Sequence, residues 1–378
     1  MNKQTVFIIG PAYPLRGGLA TFNQRLVRAF EERGYDAEIY SYSLQYPGIF
    51  FPGKSQFTDD PAPDQICIHT ELNSVNPFNW IRVGNRIRKR KPDVVIFRYW
   101  MPFFAPCLGT IARIISRNKH TRVLAITDNV IPHEHRIGDK LLTRYFVTSI
   151  HGFITMSEAV KKQLPRFVKN KPVIYNPHPL YDNFGDSIPM SQAKAALGLS
   201  NELQYILFFG FIREYKGLDI LIEAMGNDKV RHMPIHLLVV GEFYDNEEKY
   251  RNLVSSLNLK DKITFIDDFV PDSEVATYFS SVELVVQPYK NATQSGVTQI
   301  AYHFDKPMVV THVGALPEMV PHNKVGFVTD VNALAVAEAI ADFFQLNKAE
   351  EFIRNIKEEK KKYSWITFLE NIEQLVKN

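Results

Sequence analysis

F-F-G-F-I-R-E-Y-K-G-L-D-I-L-I-E-A, residues 208–224, is the stretch that decides the fold. The apolar run at 205–209 predicts a buried strand. Gly210 breaks it at its carboxyl end, and Arg213 and Lys216 follow in the turn. Gly217 then opens an amphipathic stretch with Leu218, Leu221, Ile222 and Met225 at helical spacing. Two cations therefore stand just beyond a strand end and beside a helix N-terminus. Ligands of open α/β sheets bind at that place. Fixed cations with free helix N–H groups suit an anion such as a diphosphate. The plainer reading of the same residues is two solvated cations on a βα loop.

Outward from this unit the same alternation recurs. In the first half, strands are expected over 5–10, 36–41, 93–97, 122–127, 152–156 and 172–175, with a short one around 65–69. In the second half they are expected over 205–209, 235–240, 262–266, 284–287 and 308–311. Amphipathic helices fall between them, and the whole of 100–115 reads as one apolar helix. Strands alternating with helices argue an α/β fold of two doubly wound, Rossmann-like parallel-sheet domains, with the ligand cleft between them. The expected bounds are 1–185 and 186–355, with a linker near 180–190. A C-terminal helix over 356–378 is expected to pack back on the first domain.

A length of 378 residues suits two such domains. The two cysteines, Cys67 and Cys107, make no metal or redox spacing, so a reducing cytoplasmic setting is expected. No signal-like leader is read at the start, and no apolar run is long enough to span a bilayer. Charge is uneven. Residues 1–185 hold 25 Lys and Arg against 14 Asp and Glu, a net +11, and the remainder nets −8. The strongest basic run, R-I-R-K-R-K over 86–91, suits a solvated helix end, where cations complement the dipole. No nucleic-acid partner is expected.

Two more loops carry candidate chemistry. P-A-Y-P-L-R-G-G over 11–18 places Gly17 and Gly18 before a helix, where the backbone can approach a ligand closely. It is not G-x-G-x-x-G, so a dinucleotide fingerprint is absent. The strand over 122–127 ends at D-N-V-I-P-H-E, which gathers Asp128, Asn129, His133 and Glu134 at a strand's carboxyl end. An Asx-turn with a surface histidine would use the same residues.

Taken in order, G-G-L-A-T-F, G-F-I-R-E-Y-K-G-L, V-V-G-E, P-Y-x₄-Q-S-G and D-K-P-M-V-V-T-H-V-G-A-L-P-E-M-V resemble the retaining glycosyltransferases of family four, which have the GT-B fold. The resemblance spans nearly the whole chain. It implies a nucleotide-sugar donor in the C-terminal domain and an acceptor in the N-terminal one. Arg213 and Lys216 would then bind the diphosphate, as metal-independent catalysis without a cofactor requires. The rest of the implied donor set is Gly17, Gly18, Gly210, Gly241, Glu242, Val270, Gln294, Ser295, Gly296, Val297, Gln299 and Glu318. The family's paired glutamates, E-x₇-E, fall on Ala292 and Ile300, neither acidic. Its acceptor-side histidine falls on Asp128, so that role is shared between Asp128 and His133. With no obvious nucleophile, the implied route to retention has the acceptor attack from the leaving-group face. The implied reaction moves a hexose to a hydroxyl of a glycan or lipid-linked acceptor in cell-surface polysaccharide synthesis. The basic first half, with the run over 86–91 and the aromatics over 100–104, adds an expected peripheral contact with an anionic membrane. The competing expectations are a nucleotide-sugar epimerase of the same fold, drawing on Asp128, His133, Glu134 and His178, and a non-catalytic sugar-nucleotide-binding protein.

Overall fold

The computed structural model describes residues 3–47, 55–58, 61–131, 138–292 and 295–377. The chain divides into two compact units. One runs to Pro179 and takes in the segment from Tyr363 onward, and the other is Leu180–Lys362.

The first unit has seven strands: β1 (Thr5–Ile9), β2 (Asp36–Leu44), β3 (Cys67–Asn73), β4 (Val94–Tyr99), β5 (Arg122–Thr127), β6 (Gly152–Thr155) and β7 (Val173–Tyr175). All pair in parallel, in the order β3-β2-β1-β4-β5-β6-β7. Crossover helices cover both faces, so central strands such as Val94–Tyr99 are buried along their whole length. The winding reverses between β1 and β4. At that point Gly10 is obligatory: a Cβ there would lie 2.7 Å from Asn23 Nδ2 and 2.8 Å from Arg98 Cβ. The C-terminal helix Trp365–Lys377 completes this unit. The rings of Trp365 and Phe368 meet Phe22 at 5.3 and 5.9 Å, and Asn176 Nδ2 donates to the Phe368 carbonyl at 2.9 Å.

The second unit has six parallel strands: β8 (Gln204–Phe209), β9 (Ile235–Val240), β10 (Ile263–Ile266), β11 (Leu284–Gln287), β12 (Met308–Thr311) and β13 (Gly326–Thr329). Their order is β10-β9-β8-β11-β12-β13, so the reversal falls between β8 and β11. A core of Ile206, Phe208, Leu221, Met225, Leu237, Val239 and Ile340 joins the sheet to helices Leu218–Gly226 and Ala333–Gln345.

Three local expectations change. Residues 100–115 are not one helix: Pro102–Phe104 form a 3₁₀ turn, and the helix starts at Ala105 with Pro106 in its first turn, where the missing N–H costs nothing. The edge strand β3 spans Cys67–Asn73 rather than 65–69, because pairing with β2 carries the polar residues 70–73 into the sheet. β13 and the helix Ala333–Gln345 were not foreseen; the four-residue strand G-F-V-T is specified by its register against β12.

Candidate functional site

In the second unit, the turn after β8 is built by glycine geometry. Gly210 (φ 90°) and Gly217 (φ 68°) both hold left-handed backbone, and Glu214–Lys216 makes one 3₁₀ turn between them. A Cβ on Gly217 would lie 2.0 Å from the Pro288 carbonyl oxygen, so this turn abuts the segment following β11. A Cβ on Gly241 would lie 2.4 Å from the Gly210 carbonyl oxygen, which brings the end of β9 equally close. The ends of β8, β9 and β11 thus converge at the switch point of this sheet.

Lys216 is buried there. Among the described residues its ammonium has no hydrogen-bond or ion-pair partner. It lies 5.8 Å from the Tyr289 ring centroid. Burial first, and the charge of Arg213 second, lower its pKa from 10.5 to about 7. The space that a Cβ on Gly210 would fill is bordered by Lys216 Nζ at 3.1 Å and Val297 Cγ2 at 3.8 Å. Arg213 is exposed, with its guanidinium carbon 5.0 Å from the Tyr244 ring.

Val297 belongs to the helix Gly296–His303. Its N-cap residue, Ser295, makes no side-chain capping bond. The hydroxyl instead donates to Gln287 Oε1 at 2.6 Å, an oxygen that also accepts from Thr298 Oγ1 at 3.2 Å. Among the described residues no side chain caps the first-turn N–H groups, which can serve a ligand oxygen. Gly296 has no room for a side chain, since a Cβ would meet the Tyr181 ring at 2.9 Å. Gln299 is wholly buried, and among the described residues both of its amide atoms lack a partner, as does Gln287 Nε2. Ala292 and Ile300, at the positions of the family's paired glutamates, are buried apolar residues. Glu242 and Val270 are buried, and Glu318 is exposed on the single turn Leu316–Met319. Gln294 lies outside the described residues.

In the first unit, Asp128 follows β5 directly and is engaged by a residue the sequence reading missed. Arg98 Nε and Nη2 donate to its two carboxylate oxygens, each at 2.7 Å, and both side chains are buried. The guanidinium carbon of Arg98 lies 4.0 Å from the Phe22 ring centroid, and among the described residues its Nη1 has no partner. An arginine inside the apolar strand Val94–Tyr99 was the available signal, because a charge in a doubly covered strand must find an opposite one. His133 and Glu134 lie outside the described residues. His178 is buried and donates from Nδ1 to the Pro179 carbonyl at 2.7 Å. Burial lowers its pKa to about 3, so the ring is neutral at ordinary pH. Gly17 (φ 100°) is the N-cap of the helix Gly18–Glu32 and has no side chain with which to cap it. Gly17, Gly18, Asp128, Asn129 and His178 thus belong to the first unit, and the remaining described candidates to the second.

One metal-capable group arises in space rather than in sequence spacing. Glu38, Cys67 and His69 place ligand atoms within 4.8 Å of one another on β2 and β3. Both oxygens of Glu38 already accept from Arg90, at 2.5 and 2.6 Å, so the group is an ion-pair network.

Two family models match the chain. The model described as Glycosyltransferase Family 4 matches residues 16–180, and that described as Glycosyl transferases group 1 matches 204–345. Together they cover most of the sequence. A D-inositol 3-phosphate glycosyltransferase of Pseudarthrobacter chlorophenolicus is 22% identical over 349 residues, covering 83% of this chain and 78% of its own. Spore coat protein SA of Bacillus subtilis is 23% identical over 204 residues, covering 52% of this chain and 54% of its own. Among solved structures, sucrose-phosphate synthase from Thermosynechococcus elongatus superposes with a TM-score of 0.78 at 16% identity, covering 99% of this chain and 98% of that one. Anabaena HepE in complex with UDP and glucose gives 0.72 at 16% identity over the whole of both chains. These structural likenesses are likenesses of fold.

Proposed function

Because the chain belongs to the family-four glycosyltransferases with the GT-B fold, we propose that it moves a hexose from a nucleoside-diphosphate sugar to a hydroxyl of a glycan or lipid-linked acceptor, with retention of anomeric configuration. The observation that carries the donor site is the buried Lys216 ammonium, without a partner among the described residues, beside Gly210 and the start of helix Gly296–His303, whose N-cap Ser295 makes no capping bond. UDP in a structural neighbour is in line with a nucleoside diphosphate as the leaving group. As the glycosyl–phosphate bond breaks, negative charge grows on the diphosphate. Lys216, Arg213 and the first-turn N–H groups are preorganised donors aimed at that charge, and donors of this kind stabilise the transition state selectively. Because these groups supply the positive charge, the reaction needs no divalent metal in this reading. Retention follows if the acceptor hydroxyl attacks from the face the diphosphate leaves and gives its proton to the departing phosphate oxygen. Gln299, whose buried amide has no partner among the described residues, takes over hydrogen bonds the paired glutamates would make.

On the acceptor side, the salt-bridged Asp128 is a fixed, charge-compensated carboxylate that orients a hydroxyl, and His133 shares that role. The epimerase reading is disfavoured, because His178 is neutral and buried and Asp128 is locked to Arg98. No described helix is long and apolar enough to cross a membrane. A cytoplasmic enzyme meeting lipid-linked acceptors of cell-surface polysaccharide at the inner membrane face fits the basic first half.

The test is a thermal-shift screen of nucleoside diphosphates and nucleotide sugars, followed by nuclear magnetic resonance of the glycoside formed from the donor that stabilises. One donor should raise the melting temperature and give a product of unchanged anomeric configuration. No stabilisation by any nucleotide, or an inverted product, would overturn this reading.

A further inference from the structure

The helix Pro77–Arg90 carries five cations, Arg82, Arg86, Arg88, Lys89 and Arg90, and no acidic residue. Its inner face is fixed by the buried Val83, Gly84 and Ile87, and Trp80 Nε1 donates to the Asn73 carbonyl at 2.7 Å. Two of the cations serve the fold: Arg86 pairs with Glu71 at 2.6 Å and Arg90 with Glu38. Arg82, Arg88 and Lys89 have no ion-pair or side-chain hydrogen-bond partner among the described residues. Helical spacing puts these three on the outer side with Phe78 and Ile81. Phe78 is 85% exposed and Ile81 48% exposed, and Val75, just before the N-cap, is 46% exposed. The outer face therefore begins in an apolar tip and ends in three uncommitted cations.

We propose that this face seats the protein on an anionic lipid surface. The helix lies in the plane of the headgroups, with Val75, Phe78 and Ile81 entering the acyl boundary and Arg82, Arg88 and Lys89 among the lipid phosphates. The charge asymmetry supports this partner, since the half of the chain holding the helix nets +11. The apolar tip separates it from a polyanion in solution, which would use the cations and leave Phe78 in water. The surface deepens the reading above, because it would bring the enzyme to a lipid-linked acceptor, yet it contains no residue assigned to donor or acceptor.

The test is co-sedimentation of the full chain with vesicles of phosphatidylcholine alone and of phosphatidylcholine mixed with phosphatidylglycerol, at low and high salt. Binding is expected to the mixed vesicles only, and to weaken with salt. Neutralising Arg82→Gln, Arg88→Gln and Lys89→Gln together should lower the partition coefficient about 10²-fold. Phe78→Ser should remove the part of the binding that survives high salt. All variants should keep the wild-type circular dichroism and the wild-type rate of donor hydrolysis. Binding to both vesicle types alike, wild-type binding by the triple variant, or retention by heparin with no vesicle binding would each overturn the proposal. Absence of donor hydrolysis in a wild-type protein that binds the mixed vesicles would instead count against the enzymatic reading alone.

Discussion

Replacing Lys216 with methionine should change three linked quantities. Lys216 has a pKa of about 7 in the free protein, against 10.5 for an ordinary lysine, because burial and Arg213 oppose its charge. With a pKa near 7 it is about half protonated at pH 7 and about one-tenth protonated at pH 8. A diphosphate beside it restores the proton. Binding of a nucleoside diphosphate at pH 8 should therefore take up nearly one proton per protein, and affinity should fall about tenfold per pH unit above 7. Calorimetry in two buffers of different ionisation enthalpy measures that uptake directly. Stability has the opposite sign. Between about pH 7 and 10.5 the unfolded chain keeps a proton the folded chain has lost, so wild-type stability should rise with pH, by up to about 1.4 kcal/mol per unit. Below pH 7 the burial penalty is fully present and flat. Lys216→Met should remove the proton uptake, flatten the pH dependence and stabilise the free protein at pH 7, while weakening nucleotide binding. Wild-type nucleotide affinity in a folded Lys216→Met protein, or no proton uptake at pH 8, would refute the reasoning.

Further outcomes follow from the same geometry. Arg213→Ala should keep the fold, because the side chain is exposed, and should lose turnover on the order of 10²-fold, as when one charge-stabilising donor is removed; steady-state kinetics on folded protein decides it. Activity should survive EDTA, since Lys216 and Arg213 supply the positive charge; complete loss restored by Mg²⁺ or Mn²⁺ would contradict that. Asp128→Ala should cost about 3–5 kcal/mol in urea unfolding, because it leaves the Arg98 charge buried and alone. The double variant Arg98→Met with Asp128→Leu should recover most of that loss.

The second unit's candidate site can be proposed from the sequence because the signals there are local. An apolar run, a glycine, two cations and another glycine lie within a dozen residues, and the structure places Gly210 and Lys216 side by side. The convergence of Val297 on them depends on strand order, which sets β8 beside β11. What stayed hidden depends on partners far along the chain. Arg98 reads as one odd residue in V-V-I-F-R-Y, and only the fold shows that Asp128 neutralises it. Gln287, which takes the Ser295 hydroxyl away from its capping role, likewise reads as an ordinary strand end. The helix expected over 100–115 shows a competing rule, since Pro102 and Pro106 each demand a first-turn position and so divide the segment. The outer face of Pro77–Arg90 was visible only as a basic run, because the exposure of Phe78 depends on which side of the helix meets the sheet.

The central claim is that a buried lysine at the switch point of the second sheet drives departure of a nucleoside diphosphate. Its most direct test is release of nucleoside diphosphate from the stabilising nucleotide sugar, measured for wild type and Lys216→Ala side by side at pH 7. A fall on the order of 10²-fold or more in a variant that retains its fold is the predicted result. Equal rates in the two proteins would contradict the account.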